Sequence, residues 1–371
     1  MASLRDESWL WLCLWTINNI GVTLLNKITF AMVDFQYPYF LSFVHMLCNS
    51  LGTQYIFWQI KQDDKTGTES SIQKLLGHLV RRDLDATGKS YILWFSLIFS
   101  LNIAIGNVSL RYVSVNFNQV MRSLVPCFTI FLGLLVGKTF TCRRIASVVP
   151  IIVGVMMACF GDMEYTILGF VYTLCCVILA ALKAVVAGEM LTGSLKLHPV
   201  DLLGHLAPLA MIQCIIMSLA TGEIPAILRR PELYLTDPRP AIVILFSGLC
   251  SFSLNITSLM TNKLTSPLTL TIAGNVKQVM MIVISTIVFA TPITPLNGFG
   301  IVVVLIGSAI YSFVSLKDKK DDSASSTVLR KTSMEPDDET NIPVIVQNTG
   351  NCRDVRPAIL TSRSNSRESG V

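Results

Sequence analysis

Four basic residues stand inside long apolar runs of this sequence: Lys27, Arg122, Lys183 and Lys277. The acidic residue nearest to them within these runs is Glu189, at the end of the run that holds Lys183. Each charge would cost about 2.5–3.5 kcal/mol at the centre of a membrane helix, so four facing lipid would cost on the order of 10 kcal/mol. We therefore expect these side chains to face a watery cavity or a partner of opposite charge.

Arg122 and Lys277 are the strongest candidates, because they lie about seven and about eleven residues inside their runs. Their polar neighbours are Asn116, Asn118 and Gln119 for the first, and Asn275 and Gln278 for the second. Lys27 and Lys183 lie nearer to the ends of their runs, where a long side chain can also reach the headgroups. Arg offers a planar fork and Lys a compact charge, and both suit phosphate oxygens.

A mobile anion is the simplest partner for these cations, because no intramembrane carboxylate neutralises them. The lack of such carboxylates also argues against a mechanism driven by Na⁺ or protons, which usually needs one. An empty cavity would leave the cations unpaired and would disfavour passage through an occluded state. The pattern therefore predicts obligatory exchange of one anion for another.

The amino-acid composition indicates that these apolar runs lie in a membrane. The chain has 371 residues, of which 52% are hydrophobic and 14% charged, and its mean hydropathy is +0.58. Soluble proteins carry roughly 25% charged residues, so a water-soluble enzyme is excluded. The net charge of +5 does not indicate nucleic acid: apart from the four cations inside the apolar runs, the chain has 25 basic and 24 acidic residues.

Ten runs reach the length of about 20 residues that a membrane helix needs. They cover approximately residues 8–31, 38–60, 90–110, 115–136, 143–160, 166–189, 201–221, 241–262, 266–289 and 295–316. The N-terminus and the loops after even-numbered runs hold twelve Lys and Arg, against four in the opposite loops. This bias places both termini and the loop 61–89 in the cytosol. Residues 317–371 are polar and predict a disordered cytosolic tail.

The ten runs divide into two similar halves. Sliding the sequence by about 153 residues brings Arg122 within one helical turn of Lys277, whereas Lys27 and Lys183 match more loosely. Since five is odd, the second half would enter the membrane from the other side. This predicts two inverted five-helix repeats, 1–160 and 161–316, an architecture typical of transporters.

Motifs for an enzyme are missing from the sequence. It has no nucleophile motif, no HExxH zinc site, no glycine-rich phosphate loop and no pair of aspartates of the kinds that carry catalysis. We therefore expect neither catalytic residues nor a metal or other cofactor.

Several short segments carry a resemblance to a known family. They include Leu25-Asn26-Lys27, the run from Gly106 to Arg122, and Gly274-Asn275 leading to Lys277. Over approximately residues 9–316 the chain resembles the triose-phosphate and nucleotide-sugar translocator family of the drug/metabolite transporter superfamily. The resemblance implies an all-α membrane protein of ten helices in two inverted five-helix repeats, and alternating-access antiport of phosphorylated metabolites.

The resemblance also implies roles for single residues. In the plastid phosphate translocators of this family, a basic residue of the fourth helix and a Lys-Arg pair of the ninth bind the phosphate. These roles carry over to Arg122 and Lys277, whereas Gln278 replaces the Arg of the pair. That departure favours the secretory-pathway relatives, which resemble carriers of the Golgi or endoplasmic reticulum that exchange a nucleotide sugar for a nucleoside monophosphate. The expected substrate-binding residues are Arg122, Lys277, Gln278, Lys183, Lys27, Asn275, Asn118 and Gln119.

Two alternatives stay open on the sequence alone. One is a sugar-phosphate or phosphoenolpyruvate/phosphate exchanger. The other, from a different class, is a non-transporting membrane scaffold or trafficking factor that uses the tail. The expected partners are a phosphorylated small molecule and the lipid bilayer, without nucleic acid, while a homodimer and a tail-binding partner are left open.

Overall fold

The computed structural model describes residues 2–66, 72–73, 79–137, 139–161, 166–192, 197–229, 238–264 and 267–332. The regular secondary structure of this part of the chain is helical, without strands. The helices are α1 Ala2–Ala31, α2 Pro38–Thr66, α3 Ala86–Tyr112, α4 Val115–Arg122, α5 Val125–Leu135, α6 Cys142–Ala146, α7 Val149–Gly161, α8 Ile167–Thr192, α9 Pro199–Ala220, α10 Glu223–Leu228, α11 Arg239–Leu264, α12 Pro267–Phe289 and α13 Pro295–Thr332.

The predicted all-α class is confirmed, and eight segments of the described chain are long and apolar enough to cross a membrane. These eight overlap the third to the tenth predicted runs, one for one. The first two runs lie in α1 and α2, which are helical but not among the eight. Both helices carry several amide side chains, such as Asn19 and Asn49, which lower the mean hydropathy although these groups face other helices rather than lipid.

Two of the predicted runs are each divided into two helices. The break between α4 and α5 follows Arg122, and the break between α6 and α7 follows Ala146. Each helix ends four residues before a proline, Pro126 or Pro150, since a proline clashes with the carbonyl four positions earlier and lacks an N–H. The first break therefore places Arg122 at the last position of α4.

The last helix continues to Thr332, beyond residue 316 where the final run was predicted to end. Lys317 and Asp321 lie four positions apart and Lys319 and Asp322 three positions apart, so these opposite charges have a spacing that supports a helix in water. The rest of the predicted tail, from Ser333, lies outside the described residues. The positions of the domain boundaries stay a prediction.

Neighbouring helices pack in a consistent set of pairs. The main contacts join α7 with α13, α2 with α9, α3 with α8, α1 with α11, α2 with α11, and α3 with α9. Further contacts join α5 with α8, α1 with α12, and α4 with α12. The centre of the bundle is lined by α1, α2, α3, α4, α8, α11 and α12, and the partly buried cations Arg122, Lys183 and Lys277 meet there.

The α7–α13 pair packs backbone against backbone. A Cβ added at Gly154 would lie 2.7 Å from the Val304 backbone nitrogen, and one added at Gly307 would lie 2.9 Å from that of Ile151. Small residues allow such close approach between membrane helices. The pair therefore forms a tight contact away from the central cavity.

We expect Gly154→Val to destabilise the protein by about 1–3 kcal/mol, because an overpacked interface must move apart. The measurement is the Tm of the detergent-solubilised protein. Gly21→Val is the matched control, since it also replaces a helical glycine but a Cβ at Gly21 meets no atom within 4 Å. Equal Tm values for the two variants would contradict the tight α7–α13 contact.

Candidate functional site

A cavity of about 280 Å³ lies at the centre of the bundle. Its polar and charged lining includes Asn19, Asn26, Asn102, Asn107, Asn118, Gln119, Arg122, Lys183, Ser251, Asn255 and Lys277. Three of the four intramembrane cations thus meet in one space. The described residues that line it include no carboxylate, so the cavity combines positive charge with uncharged hydrogen-bonding groups.

Arg122 is held in place by its own helix. Its Nε donates to Asn118 Oδ1 at 2.7 Å, one turn earlier on α4, and Asn118 Nδ2 in turn donates to Ser109 Oγ at 2.8 Å. A Cβ on Gly106 would lie 3.2 Å from Arg122 Nη2, so the glycine leaves room for the guanidinium. The negative end of the α4 dipole also favours a cation at its last residue.

Lys277 reaches from α12 to two residues of α1. Its Nζ donates to Asn19 Oδ1 at 3.2 Å and lies 5.3 Å from the centroid of the Trp15 ring. Trp15 and Asn19 are four residues apart and therefore share one face of the helix. The ammonium is held by one neutral oxygen and one aromatic face.

Lys183 lies above an aromatic ring of α3. Its Nζ is 5.0 Å from the centroid of Phe99, within the range of a cation–π contact. Among the described residues the ammonium has no hydrogen-bond acceptor, although it borders the polar cavity. A bound anion would supply the missing acceptor.

Three of the predicted site residues lie outside this lining. Lys27 Nζ donates to the carbonyls of Leu110 at 2.9 Å and Val113 at 2.7 Å, where the end of α3 leaves carbonyls without helical partners. Gln278 Nε2 donates to the Gln119 carbonyl at 3.3 Å and also to Ser123 Oγ. Lys27 thus caps a helix, and Gln278 ties α12 to the break after α4.

Asn275 is also outside the cavity lining. It is two residues from Lys277, and side chains two apart on a helix do not face the same way. Asn118 and Gln119, by contrast, line the cavity together with Arg122.

The sequence interpretation missed most of the uncharged lining. On α1 the lining positions are Asn19, Val22, Thr23 and Asn26, and on α3 they are Phe99, Asn102, Ile103, Gly106, Asn107 and Leu110. Both sets repeat every three to four residues, as one face of a helix does. This polar periodicity inside apolar runs is the signal that could have found them.

Hydrogen bonds join the two predicted halves at the end of the bundle that the loop charges predict to be lumenal. Asn116 Nδ2 of α4 donates to Thr286 Oγ1 of α12 at 2.7 Å. Glu223, before α11, accepts from the backbone N–H of Phe40 at 2.7 Å, at the start of α2. Burial raises the pKa of the Glu223 carboxyl, and the hydrogen bonds it accepts oppose that shift. Each contact joins the two predicted halves.

Comparison of the sequence with known proteins gives matches to transporters. Residues 8–312 match the model of the Triose-phosphate Transporter family. The chain is 30% identical over 307 residues to the GDP-mannose transporter GONST5 of Arabidopsis thaliana, covering 81% of this chain and 83% of that protein. It is 30% identical over 302 residues to UDP-galactose transporter 1 of the same plant (81% and 84%). It is also similar to a probable sugar phosphate/phosphate translocator of that plant, with 29% identity over 312 residues (82% and 94%).

Proposed function

Because the chain belongs to the triose-phosphate transporter family, we propose that it is an alternating-access antiporter that exchanges a nucleotide sugar for a nucleoside monophosphate. The family and the relatives are transporters and not enzymes. One observation carries the exchange of phosphorylated anions: Arg122, Lys183 and Lys277 converge from three helices on one cavity whose described lining holds no carboxylate. A phosphate would neutralise these charges and complete their hydrogen bonds.

The nucleotide-sugar assignment is supported by Gln278. A plastid-type phosphate site would have a second cation at this position, whereas Gln278 is engaged with the Gln119 carbonyl and Ser123. Two of the relatives are named as transporters of GDP-mannose and UDP-galactose. A site with one cation fewer than a plastid-type phosphate site suits an anion whose remaining surface is sugar and base.

A second candidate is the exchange of sugar phosphates for phosphate. It is favoured by the cavity volume of about 280 Å³, which lies at the lower limit of the roughly 300–1,000 Å³ typical of small-molecule sites. A smaller sugar phosphate would fit this conformation without any widening. The relatives also include probable sugar phosphate/phosphate translocators.

We further propose ten spans in two inverted repeats, 1–160 and 161–316. The helix pairs support this arrangement: when each span is exchanged with the one five places away, the contact of α1 with α11 becomes that of α8 with α3. In the same way α1 with α12 corresponds to α8 with α5, while the pairs α2–α9 and α7–α13 map onto themselves. The two halves would rock about the central site.

For the location, we propose the membrane of the Golgi or endoplasmic reticulum, with both termini in the cytosol. The nucleotide-sugar relatives support the compartment, and the Lys and Arg bias of the loops supports the orientation. In that orientation the hydrogen bonds of Asn116 and Glu223 lie at the end that faces the lumen.

The test of the proposed function is exchange by purified protein in liposomes. Liposomes are preloaded with UMP, GMP or inorganic phosphate, and uptake is measured for a panel of labelled nucleotide sugars and sugar phosphates. Preloading with UMP or GMP is expected to drive uptake of nucleotide sugars. Uptake driven only by phosphate would favour the second candidate, and no uptake of any phosphorylated solute would contradict both.

We expect Asn118→Ala to raise the KM for the transported anion about tenfold. The hydrogen bond to the Arg122 guanidinium is lost, and bonds to charged groups contribute about 1.5–3 kcal/mol. The same change at Asn275, outside the cavity lining, is expected to keep KM within about twofold, since it removes no contact to the site. An equal rise of KM in both variants would indicate that the anion also contacts the face of α12 that carries Asn275.

Deleting residues 333–371 is expected to leave the exchange rate within about twofold of the full chain. The removed segment follows the end of α13 at Thr332, and every described residue of the cavity lining precedes it. The measurement is the same liposome assay, with protein amount normalised. Loss of the cellular role without loss of exchange would instead support the scaffold alternative.

A further inference from the structure

Both lysines of the cavity are paired with an aromatic ring from the other half of the molecule. Lys277 on α12 lies over Trp15 of α1, at 5.3 Å from the ring centroid. Lys183 on α8 lies over Phe99 of α3, at 5.0 Å. Trp15 and Phe99 belong to the first predicted repeat and the two lysines to the second. The two contacts therefore join the halves across the site.

The two rings lower the electrostatic cost of leaving the cavity without an anion. Without cargo, the cavity holds three cations that repel one another and lack a carboxylate in the described lining. The face of an aromatic ring attracts an ammonium, and the attraction strengthens when water is excluded. Trp15 and Phe99 thus supply the partner that a phosphate supplies in the loaded state.

We propose that Trp15 and Phe99 hold the ammonium groups of Lys277 and Lys183 when no anion is bound, and so keep the empty carrier in this conformation. The proposal rests on the proposed exchange function. It makes Trp15 and Phe99 positioning residues that couple anion binding to the change of conformation. Rocking of the halves separates each ring from its lysine, so the empty carrier must break both contacts to change conformation. An anion that binds the two ammonium groups replaces the rings and releases the halves.

The proposal predicts a specific defect when a ring is removed. Trp15→Leu and Phe99→Leu keep an apolar side chain but remove the π face, so the empty carrier returns more readily. Efflux into buffer without a counter-anion is then expected to rise about tenfold relative to exchange, equivalent to about 1.4 kcal/mol. Trp15→Phe, which keeps a ring, is expected to restore most of the coupling.

The experiment uses liposomes loaded with labelled UMP, GMP or inorganic phosphate, whichever the wild type exchanges. For each variant, efflux is measured with and without the same unlabelled anion outside. A role in packing alone would lower both rates together and leave their ratio unchanged. An unchanged ratio in both Leu variants would overturn the proposal, while wild-type exchange would still support the proposed function.

A second measurement does not depend on transport. In anion-free detergent solution, the Tm effects of Trp15→Leu and Lys277→Met are expected to be non-additive, because each change removes the same contact. Trp11→Leu, one turn earlier on α1, is the matched control and is expected to add independently to Lys277→Met. Additive Tm effects for the Trp15 and Lys277 pair would also overturn the proposal. If the wild type exchanges none of the three anions, the proposed function fails and this cycle still decides whether Trp15 holds Lys277.

Discussion

Arg122→Gln is expected to lower exchange at least about 30-fold, while the protein level and helical content stay normal. Removing one partner of a buried charge pair costs about 2–5 kcal/mol, and Gln cannot offer the planar fork that binds two phosphate oxygens. The guanidinium of Arg122 is also fixed in position, because Asn118 accepts a hydrogen bond from it and Gly106 leaves room for it. The loss should therefore appear in anion binding as well as in transport.

The measurement combines liposome exchange with the Tm shift that the exchanged anion causes in detergent. Arg122→Lys is the informative comparison, because it keeps the charge but loses the fork. We expect this variant to retain partial activity with a raised KM. Wild-type exchange by Arg122→Gln would remove Arg122 from the site.

The second large effect is expected for Lys277→Gln. This change removes the charge that α12 contributes to the cavity and the contacts with Asn19 and Trp15. Exchange should again fall at least about 30-fold, since the anion loses a buried counter-charge. The substitution keeps a side chain of similar length and polarity, so folding should be little affected.

Lys27→Gln is the matched control for this experiment. Lys27 is also a lysine within a predicted span, but its ammonium binds the carbonyls of Leu110 and Val113 at the end of α3. We expect this variant to lower Tm while the KM of the remaining active protein stays within about twofold. If Lys27→Gln raised KM as strongly as Lys277→Gln, the anion would have to contact the end of α3.

The sequence identified the charged part of the site because charge inside an apolar run is costly wherever it occurs. That argument finds Arg122 and Lys277 without a structure. It treats Lys27 and Lys183 alike, however, since both lie near the ends of their runs. Only the folded chain separates them: Lys27 meets free carbonyls of α3, whereas Lys183 meets a ring and the open cavity.

The aromatic partners were harder to predict for a different reason. Trp15 and Phe99 lie in apolar runs, where aromatic side chains commonly pack against helices or lipid. Their role depends on which lysine another helix brings over the ring, and this is a property of tertiary packing. All ten predicted runs coincide with helical segments, but the hydropathy pattern did not predict α10. It also placed the end of α13 too early, because the charged segment after residue 316 continues the helix.

The proline-induced break after α4 has a mechanical consequence. Arg122 ends one helical segment, and Pro126 stands in the first turn of the next. A force on the guanidinium therefore acts next to an interruption of the α-helical hydrogen bonding rather than within a continuous helix. An anion that draws Arg122 towards Lys277 would therefore load this span at its proline break, which places cargo binding at the one interruption between α4 and α5.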